Sequence, residues 1–143
     1  MSLSINRTTH TSRVSALPLT EKTALSLPNT IERILAMHFL REGLTVLYES
    51  VRFSIQTENG LKKSTLPDFE LRFAKGVRPL FLEVTRTKRV KHAGRRPRSI
   101  KKQQRFIMTH QQEEVDYLVM GFEELEVFAK RHQLHELLLA LHQ

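Results

Sequence analysis

The sequence predicts an α/β protein with a single domain, in which a mixed central sheet is flanked by helices. Two stretches, 29–42 and 123–143, have the periodicity of amphipathic helices. Between them, short segments alternate apolar and polar residues as half-buried strands do. A length of 143 residues is enough for one domain with a sizeable core.

The composition excludes several classes of protein. The chain has no cysteine, which excludes disulfide scaffolds and thiolate zinc sites and is compatible with a reducing cytoplasm. No apolar run approaches the length needed to span a bilayer, and the N-terminus lacks the apolar core of a secretion signal. We therefore expect a soluble, cytoplasmic protein without a membrane partner.

The N-terminal part divides into an arm and the first helix. Residues 1–28 are rich in Ser and Thr and show little periodicity, which predicts a flexible N-terminal arm. The folded domain is then expected to span 29–143. Its first helix starts at Asn29, and Glu32 stands at the position of a capping-box residue in the first turn.

A single long strand is predicted for 44–56, because apolar residues recur on one of its faces. Glu49 shares that face, and a carboxylate there is costly unless it is paired. It could lie at the rim of an active site or pair with Arg33 or Arg41, and the pairing is the favoured reading. A turn signal at 58–60 then returns the chain.

The stretch 66–85 predicts two short strands joined by a tight turn that contains Gly76 and Pro79. Such a hairpin can bring Asp68 and Glu83 close together on neighbouring strands. Two close carboxylates repel each other unless a cation lies between them, and oxygen ligands suit magnesium or manganese. The alternative is a surface hairpin whose acidic side chains face water.

The excess positive charge of the protein lies in one segment, 86–105. Of its twenty residues ten are Lys or Arg and none is acidic, whereas the remainder of the chain has a net charge of −2. This pattern favours a polyanion partner, and DNA contact is favoured over a solvated charge run. An RNA-binding protein that uses this segment alone is a further alternative. The candidate DNA-binding residues are Arg86, Lys88, Arg89, Lys91, Arg95, Arg96, Arg98, Lys101, Lys102 and Arg105.

Three further elements complete the predicted fold. Ser99 is a good N-cap for a helix over 100–112. The apolar run 116–122 predicts a fully buried strand that is central or parallel. The last element is one helix over 123–143.

The acidic hairpin carries a resemblance to a known family. Pro67-Asp68, followed after the turn by Glu83-Val84-Thr85, resembles the signature of the PD-(D/E)XK nuclease superfamily. With the early glutamate of the first helix and the Y-E-S triplet at 48–50, residues 30–120 resemble the catalytic domain of the nuclease subunit of heteromeric transposases. The resemblance implies a restriction-endonuclease-like core.

The resemblance also implies a site. Its candidate catalytic residues are Glu32, Asp68, Glu83, Thr85 and Lys102. A Mg²⁺ ion, for which Mn²⁺ would substitute, would be held by Asp68, Glu83, the carbonyl of Val84 and Glu32. Thr85 stands where the family usually has a lysine. Lys88, Lys101 or Lys102 could supply that amine instead, and Lys102 is favoured.

The function implied by the resemblance is a metal-dependent DNA endonuclease that hydrolyses phosphodiester bonds, with transposition or recombination as the candidate pathway. The candidate partners are DNA, a second copy of the chain, and a transposase or recombinase protein. The alternative is a catalytically inactive nuclease-like module that binds DNA or recruits a partner, and Thr85 in place of lysine favours it.

Overall fold

A computed structural model describes residues 7–57, 62–86 and 116–143, which form a mixed α/β fold with two sheets and four helices. The strands are β1 (Arg7–Arg13), β2 (Thr45–Tyr48), β3 (Val51–Thr57), β4 (Lys62–Thr65), β5 (Phe69–Arg72), β6 (Leu80–Val84) and β7 (Asp116–Met120). The helices are α1 (Glu21–Leu25), α2 (Thr30–Arg41), α3 (Phe122–Arg131) and α4 (His135–Leu141). Among these described residues no helix combines the length and apolar character that crossing a bilayer requires.

The larger sheet has the strand order β2-β5-β6-β7 and is mixed, as the sequence predicts. Strands β2, β5 and β6 pair antiparallel, and β7 pairs parallel to β6. A smaller antiparallel sheet with the order β1-β3-β4 accompanies it. The sequence analysis did not predict this second sheet.

The main core lies between the larger sheet and the helices. Phe69 and Leu71 of β5 alternate onto this face, where they join Leu35 of α2 and Leu125 of α3. A second, smaller cluster contains Val51 and Phe53 of the small sheet and Phe81 of β6, and it joins the two sheets.

Helix α2 begins and ends where the sequence predicts. The Asn29 side chain caps it by accepting a hydrogen bond of 3.0 Å from the Glu32 backbone N–H. After its last turn Gly43 has a φ of 84°, a left-handed conformation that glycine adopts without steric cost. The cap therefore uses the backbone N–H of Glu32, and the carboxylate of Glu32 is available for other contacts.

The N-terminal segment differs from the flexible arm that we expected over 1–28. β1 pairs with β3 along its whole length, from Arg7↔Thr57 to Arg13↔Val51. Helix α1 begins at a capping box, and its Ala24 is completely buried. The pairing of β1 with β3 depends on residues far along the chain, so Ser- and Thr-rich composition does not reveal it.

The single long strand predicted for 44–56 is wrong. The chain forms β2 and β3 instead, and these belong to different sheets. Between them Glu49 has a φ of 47°, a left-handed backbone conformation that ends one strand and redirects the chain into the next.

Two predictions for the C-terminal part also need correction. The strand predicted as fully buried is parallel to β6, but in the described sheet it lies at the edge, and Leu118 is 45% exposed. The single final helix is divided into α3 and α4 at Gln133, where φ is 56°. The helix predicted over 100–112 lies outside the described residues.

A candidate acidic site at the end of the central hairpin

The β5–β6 hairpin fixes Asp68 at the end of the larger sheet. Its antiparallel register pairs Phe69 with Leu82, and the next residues along the two chains at this end are Asp68 and Glu83. Asp68 Oδ2 accepts a hydrogen bond of 2.7 Å from the Val84 N–H. Its backbone carbonyl accepts one of 2.9 Å from the Glu49 N–H.

Helix α2 brings a second carboxylate to the same end of the sheet. Glu32 is buried and 8% exposed, and its two carboxylate oxygens accept hydrogen bonds of 2.9 and 3.3 Å from the Tyr48 hydroxyl. Tyr48 is the last residue of β2, opposite Phe69 in the register. Burial raises the pKa of Glu32 above its ordinary value, although hydrogen bonds with Tyr48 and Asp68 oppose that effect.

The electrostatics of Asp68 are unusual for a surface hairpin. Burial raises the pKa of Asp68 to about 7, against the lowering effect of the Val84 N–H. The nearby charges of Glu32 and Glu49 raise it further. Asp68 and Glu32 therefore both have raised pKa values, and the ionisation of each depends on the other.

The chemistry of this donor set fits a hard divalent cation, which prefers carboxylate oxygens and would relieve their repulsion. Within the described ranges, no group of three or more His, Asp or Glu side chains is arranged to hold a metal ion. The fit therefore depends on the pair Asp68 and Glu32, with Glu83 at the same end of the hairpin.

Tyr117 of β7 lies near the same acids. Burial raises the pKa of its hydroxyl above the ordinary value, and the charges of Glu83 and Asp68 add to the increase. The hydroxyl is 3.4 Å from Thr65 Oγ1 of the small sheet. A phenol with a raised pKa stays protonated at neutral pH, so Tyr117 can donate a hydrogen bond beside the acidic pair.

Glu70 is a fully buried carboxylate of a different kind. It accepts hydrogen bonds from Ser50 Oγ at 2.6 Å, Arg72 Nε at 2.9 Å and the Arg13 guanidinium at 3.0 Å. Burial opposes its ionisation, but these three donors together hold the pKa of Glu70 below its ordinary value. The group is a structural ion pair that connects β1 to the larger sheet.

The remaining predicted site residues are distributed unevenly over the described structure. The Thr85 backbone N–H donates a hydrogen bond of 2.9 Å to the Met120 carbonyl, which continues the β6–β7 ladder. The Arg86 guanidinium donates to the carbonyl of Gln143 at 2.9 Å. The other predicted basic residues lie outside the described ranges: Lys88, Arg89, Lys91, Arg95, Arg96, Arg98, Lys101, Lys102 and Arg105.

The sequence analysis did not single out Tyr48 or Tyr117 as site residues, and it favoured an ion pair of Glu49 with Arg33 or Arg41. The guanidinium of Arg33, one of its suggested partners, donates instead to the carbonyls of Leu27 at 2.7 Å and Pro28 at 3.2 Å. The charge of Glu49 acts on Asp68, which agrees with the rim position that was the less favoured alternative. The Y-E-S triplet at 48–50 was the sequence signal that could have pointed to Tyr48.

Comparisons with known proteins add no family to this picture. Searches against protein-family models, curated proteins and solved structures each returned no match.

Proposed function

We propose that this protein is a divalent-metal-dependent DNA endonuclease that hydrolyses phosphodiester bonds. The observation that carries the proposal is the pair Asp68 and Glu32, a half-buried and a buried acid at the end of the hairpin whose pKa values are both raised. Burying two acids side by side costs free energy, and raised pKa values of this kind are concentrated at functional sites. A cation bound between the acids would recover that free energy.

The residues take distinct roles under this proposal. Asp68 and Glu83, together with the carbonyl of Val84, would hold Mg²⁺ or Mn²⁺, and Glu32, beside Asp68, would contribute as an outer or second-metal ligand. The chemistry that the ion supplies in such a site is polarisation of a phosphate oxygen and acidification of a water molecule. The Val84 N–H fixes the orientation of Asp68, and the Tyr48 hydroxyl fixes that of Glu32.

The group that would deprotonate or orient water is not among the residues assigned so far. Thr85 can hydrogen-bond a water molecule, but a hydroxyl is a poor base at neutral pH. We propose that an amine from the basic segment, with Lys102 favoured, supplies this function. The segment also contributes phosphate contacts, which would make binding salt-dependent and largely indifferent to sequence.

The pathway and the partners extend the same proposal. The resemblance to transposase nuclease subunits suggests transposition or recombination as the pathway and cytoplasmic DNA as the substrate. A homodimer, or a complex with a transposase or recombinase, would place two such sites on opposite strands.

A supercoiled-plasmid assay with Mg²⁺ and with Mn²⁺ tests the activity. We expect nicking by the native protein and loss of nicking in Asp68→Asn, which keeps the acceptor for the Val84 N–H but removes the charge. Asp116→Asn is the matched control because it makes the same exchange at an exposed position on β7. Equal nicking by Asp68→Asn and by the native protein would refute the proposal.

A catalytically inactive module that binds DNA or recruits a partner is the second candidate, and Thr85 in place of a lysine is the observation that favours it. It predicts tight, salt-sensitive DNA binding with no nicking in either metal. In that case Asp68→Asn leaves DNA binding unchanged.

A further inference from the structure

The far end of the β5–β6 hairpin, opposite the acidic site, has its own concave surface. The connection from Arg72 to Pro79 contains a turn in which the Val77 N–H donates a hydrogen bond of 3.0 Å to the Ala74 carbonyl. Gly76 has a φ of 86° at the third position, as a type II turn requires. This geometry leaves Lys75 at the corner of the turn.

A cavity of about 350 Å³ opens at this turn. We call it the hairpin pocket, and its main lining residues are Thr45, Arg72, Phe73, Lys75, Val77 and Pro79. Its volume lies at the lower end of the range of small-molecule sites, roughly 300–1,000 Å³. Phe73 is 48% exposed and Val77 is 56% exposed, so two large apolar side chains face solvent beside the cavity.

Two cationic side chains, Arg72 and Lys75, line the hairpin pocket. Residues 71–79 contain no acidic residue, and the nearest acid of the neighbouring strand is Asp116, whose backbone N–H is 3.4 Å from the Pro79 carbonyl. Arg72 uses its Nε atom for Glu70, yet 48% of its side chain remains exposed at the pocket. An exposed aromatic ring with cations beside it combines the two features that bind single-stranded nucleic acid, namely stacking and phosphate attraction.

We propose that the hairpin pocket binds one unpaired nucleotide of a DNA strand. The base stacks on the Phe73 ring with Val77 and Pro79 at its edge, and Lys75 and Arg72 attract the flanking phosphates. This goes beyond the proposed nuclease activity, because the pocket lies five residues along the strand from Asp68, or about 16 Å at the rise of a β-strand. The nucleotide in the pocket is therefore not the one at the acidic site.

The chain offers a site-specific test because it contains no tryptophan. Phe73→Trp places the sole indole of the protein in the hairpin pocket, and Val127→Trp, at a position that is 58% exposed on α3, is the matched control. Each variant is titrated with a thymidine oligonucleotide in EDTA, so that cleavage plays no part. We expect saturable quenching of the F73W fluorescence and little quenching of V127W.

Two competitors distinguish the ligand classes. An abasic oligonucleotide of the same length retains the phosphates but has no base to stack, so it should quench F73W much less. Phosphatidylserine vesicles test whether the exposed apolar side chains bind an anionic membrane surface instead. Equal quenching by the abasic strand, quenching by vesicles alone, or equal quenching of both tryptophan variants would overturn the proposal.

Affinity provides an independent measurement. Phe73→Ala should weaken oligonucleotide binding by roughly 5- to 100-fold, the range for loss of one stacked base. Lys75→Gln should lower the slope of log affinity against log salt by about 0.7, whereas Lys22→Gln, at an exposed lysine on α1, should not change it. Unchanged affinity in Phe73→Ala and an unchanged slope in Lys75→Gln would refute the pocket, and nicking by the native protein would still support the nuclease proposal.

Discussion

Replacing Asp68 with asparagine should stabilise the folded protein at pH 8. Asparagine removes the negative charge from a buried acidic pair and keeps an oxygen that can accept the hydrogen bond from the Val84 N–H. Active-site residues often store free energy in this way, so removing them can raise stability while it removes activity. The prediction concerns stability alone and needs no substrate or metal.

The magnitude follows from the pKa of Asp68. The difference between a pKa of 3.8 and one of about 7 in the folded protein corresponds to roughly 4 kcal/mol. Because the folded state holds its proton to higher pH than the unfolded chain does, the free energy of unfolding falls as pH rises between these two values and is constant above the higher one. The ionisation of Asp68 and that of Glu32 depend on each other, so we expect the stabilisation by Asp68→Asn to grow by roughly 2–4 kcal/mol from pH 4.5 to pH 8.

Urea unfolding followed by far-ultraviolet circular dichroism at the two pH values measures this difference. Asp116→Asn, the same exchange at an exposed position on β7, is the matched control. Adding Mg²⁺ at pH 8 should raise the unfolding free energy of the native protein, by about 2.7 kcal/mol at one hundred times the dissociation constant, and should leave Asp68→Asn unchanged. A variant that is destabilised equally at both pH values would show that the acidic pair is not under repulsion.

Three further changes test other parts of the structure. Glu70→Gln should destabilise the fold by roughly 3 kcal/mol at pH 7, since it breaks a buried ion pair with Arg13. This loss of stability should shrink at pH 3, because a carboxylate with a lowered pKa stabilises the fold above its ordinary pKa and stops doing so as pH falls through its pKa in the folded protein. Urea unfolding at both pH values measures the loss. An equal loss at the two pH values would contradict the prediction. Tyr48→Phe removes the hydroxyl that binds Glu32 and should lower the free energy of unfolding in urea by about 1–3 kcal/mol. The decrease should be larger at pH 8 than at pH 4.5. A decrease that is independent of pH would indicate lost packing alone. Under the nuclease proposal, Thr85→Lys should raise the rate of plasmid nicking roughly tenfold or more, and an unchanged rate would mean that a lysine there does not limit cleavage.

The parts of the fold that the sequence predicts well are those set by neighbouring residues. The cap at Asn29 and the apolar stripe that follows it define α2, and strict alternation defines β5 and β6. The break at Glu49 was not predictable in the same way, because a non-glycine residue with a φ of 47° is held there by the structure around it. The pairing of β1 with β3 also depends on contacts between distant residues.

The candidate site also contains features that local sequence predicts and features that depend on distant contacts. The register that pairs Phe69 with Leu82, and so brings Asp68 and Glu83 to one end of the hairpin, follows from the pattern of two neighbouring strands, so local sequence suffices to predict it. The contact between Glu32 and Tyr48 requires α2 to dock on the sheet in one particular position. The sequence suggested Glu32 through a resemblance, whereas the tyrosine that holds it became evident from the structure alone.

Two acids at the start of the β5–β6 hairpin differ in their surroundings. Glu70 and Asp68 are two residues apart, yet the pKa of Glu70 is lowered and that of Asp68 is raised. Glu70 is surrounded by two arginines and a serine hydroxyl, which stabilise its charge as a structural carboxylate requires. Asp68 has one backbone donor and two acidic neighbours. Under the nuclease proposal, a cation bound beside Asp68 would offset the unfavourable surroundings of its charge, as the two arginines do for Glu70.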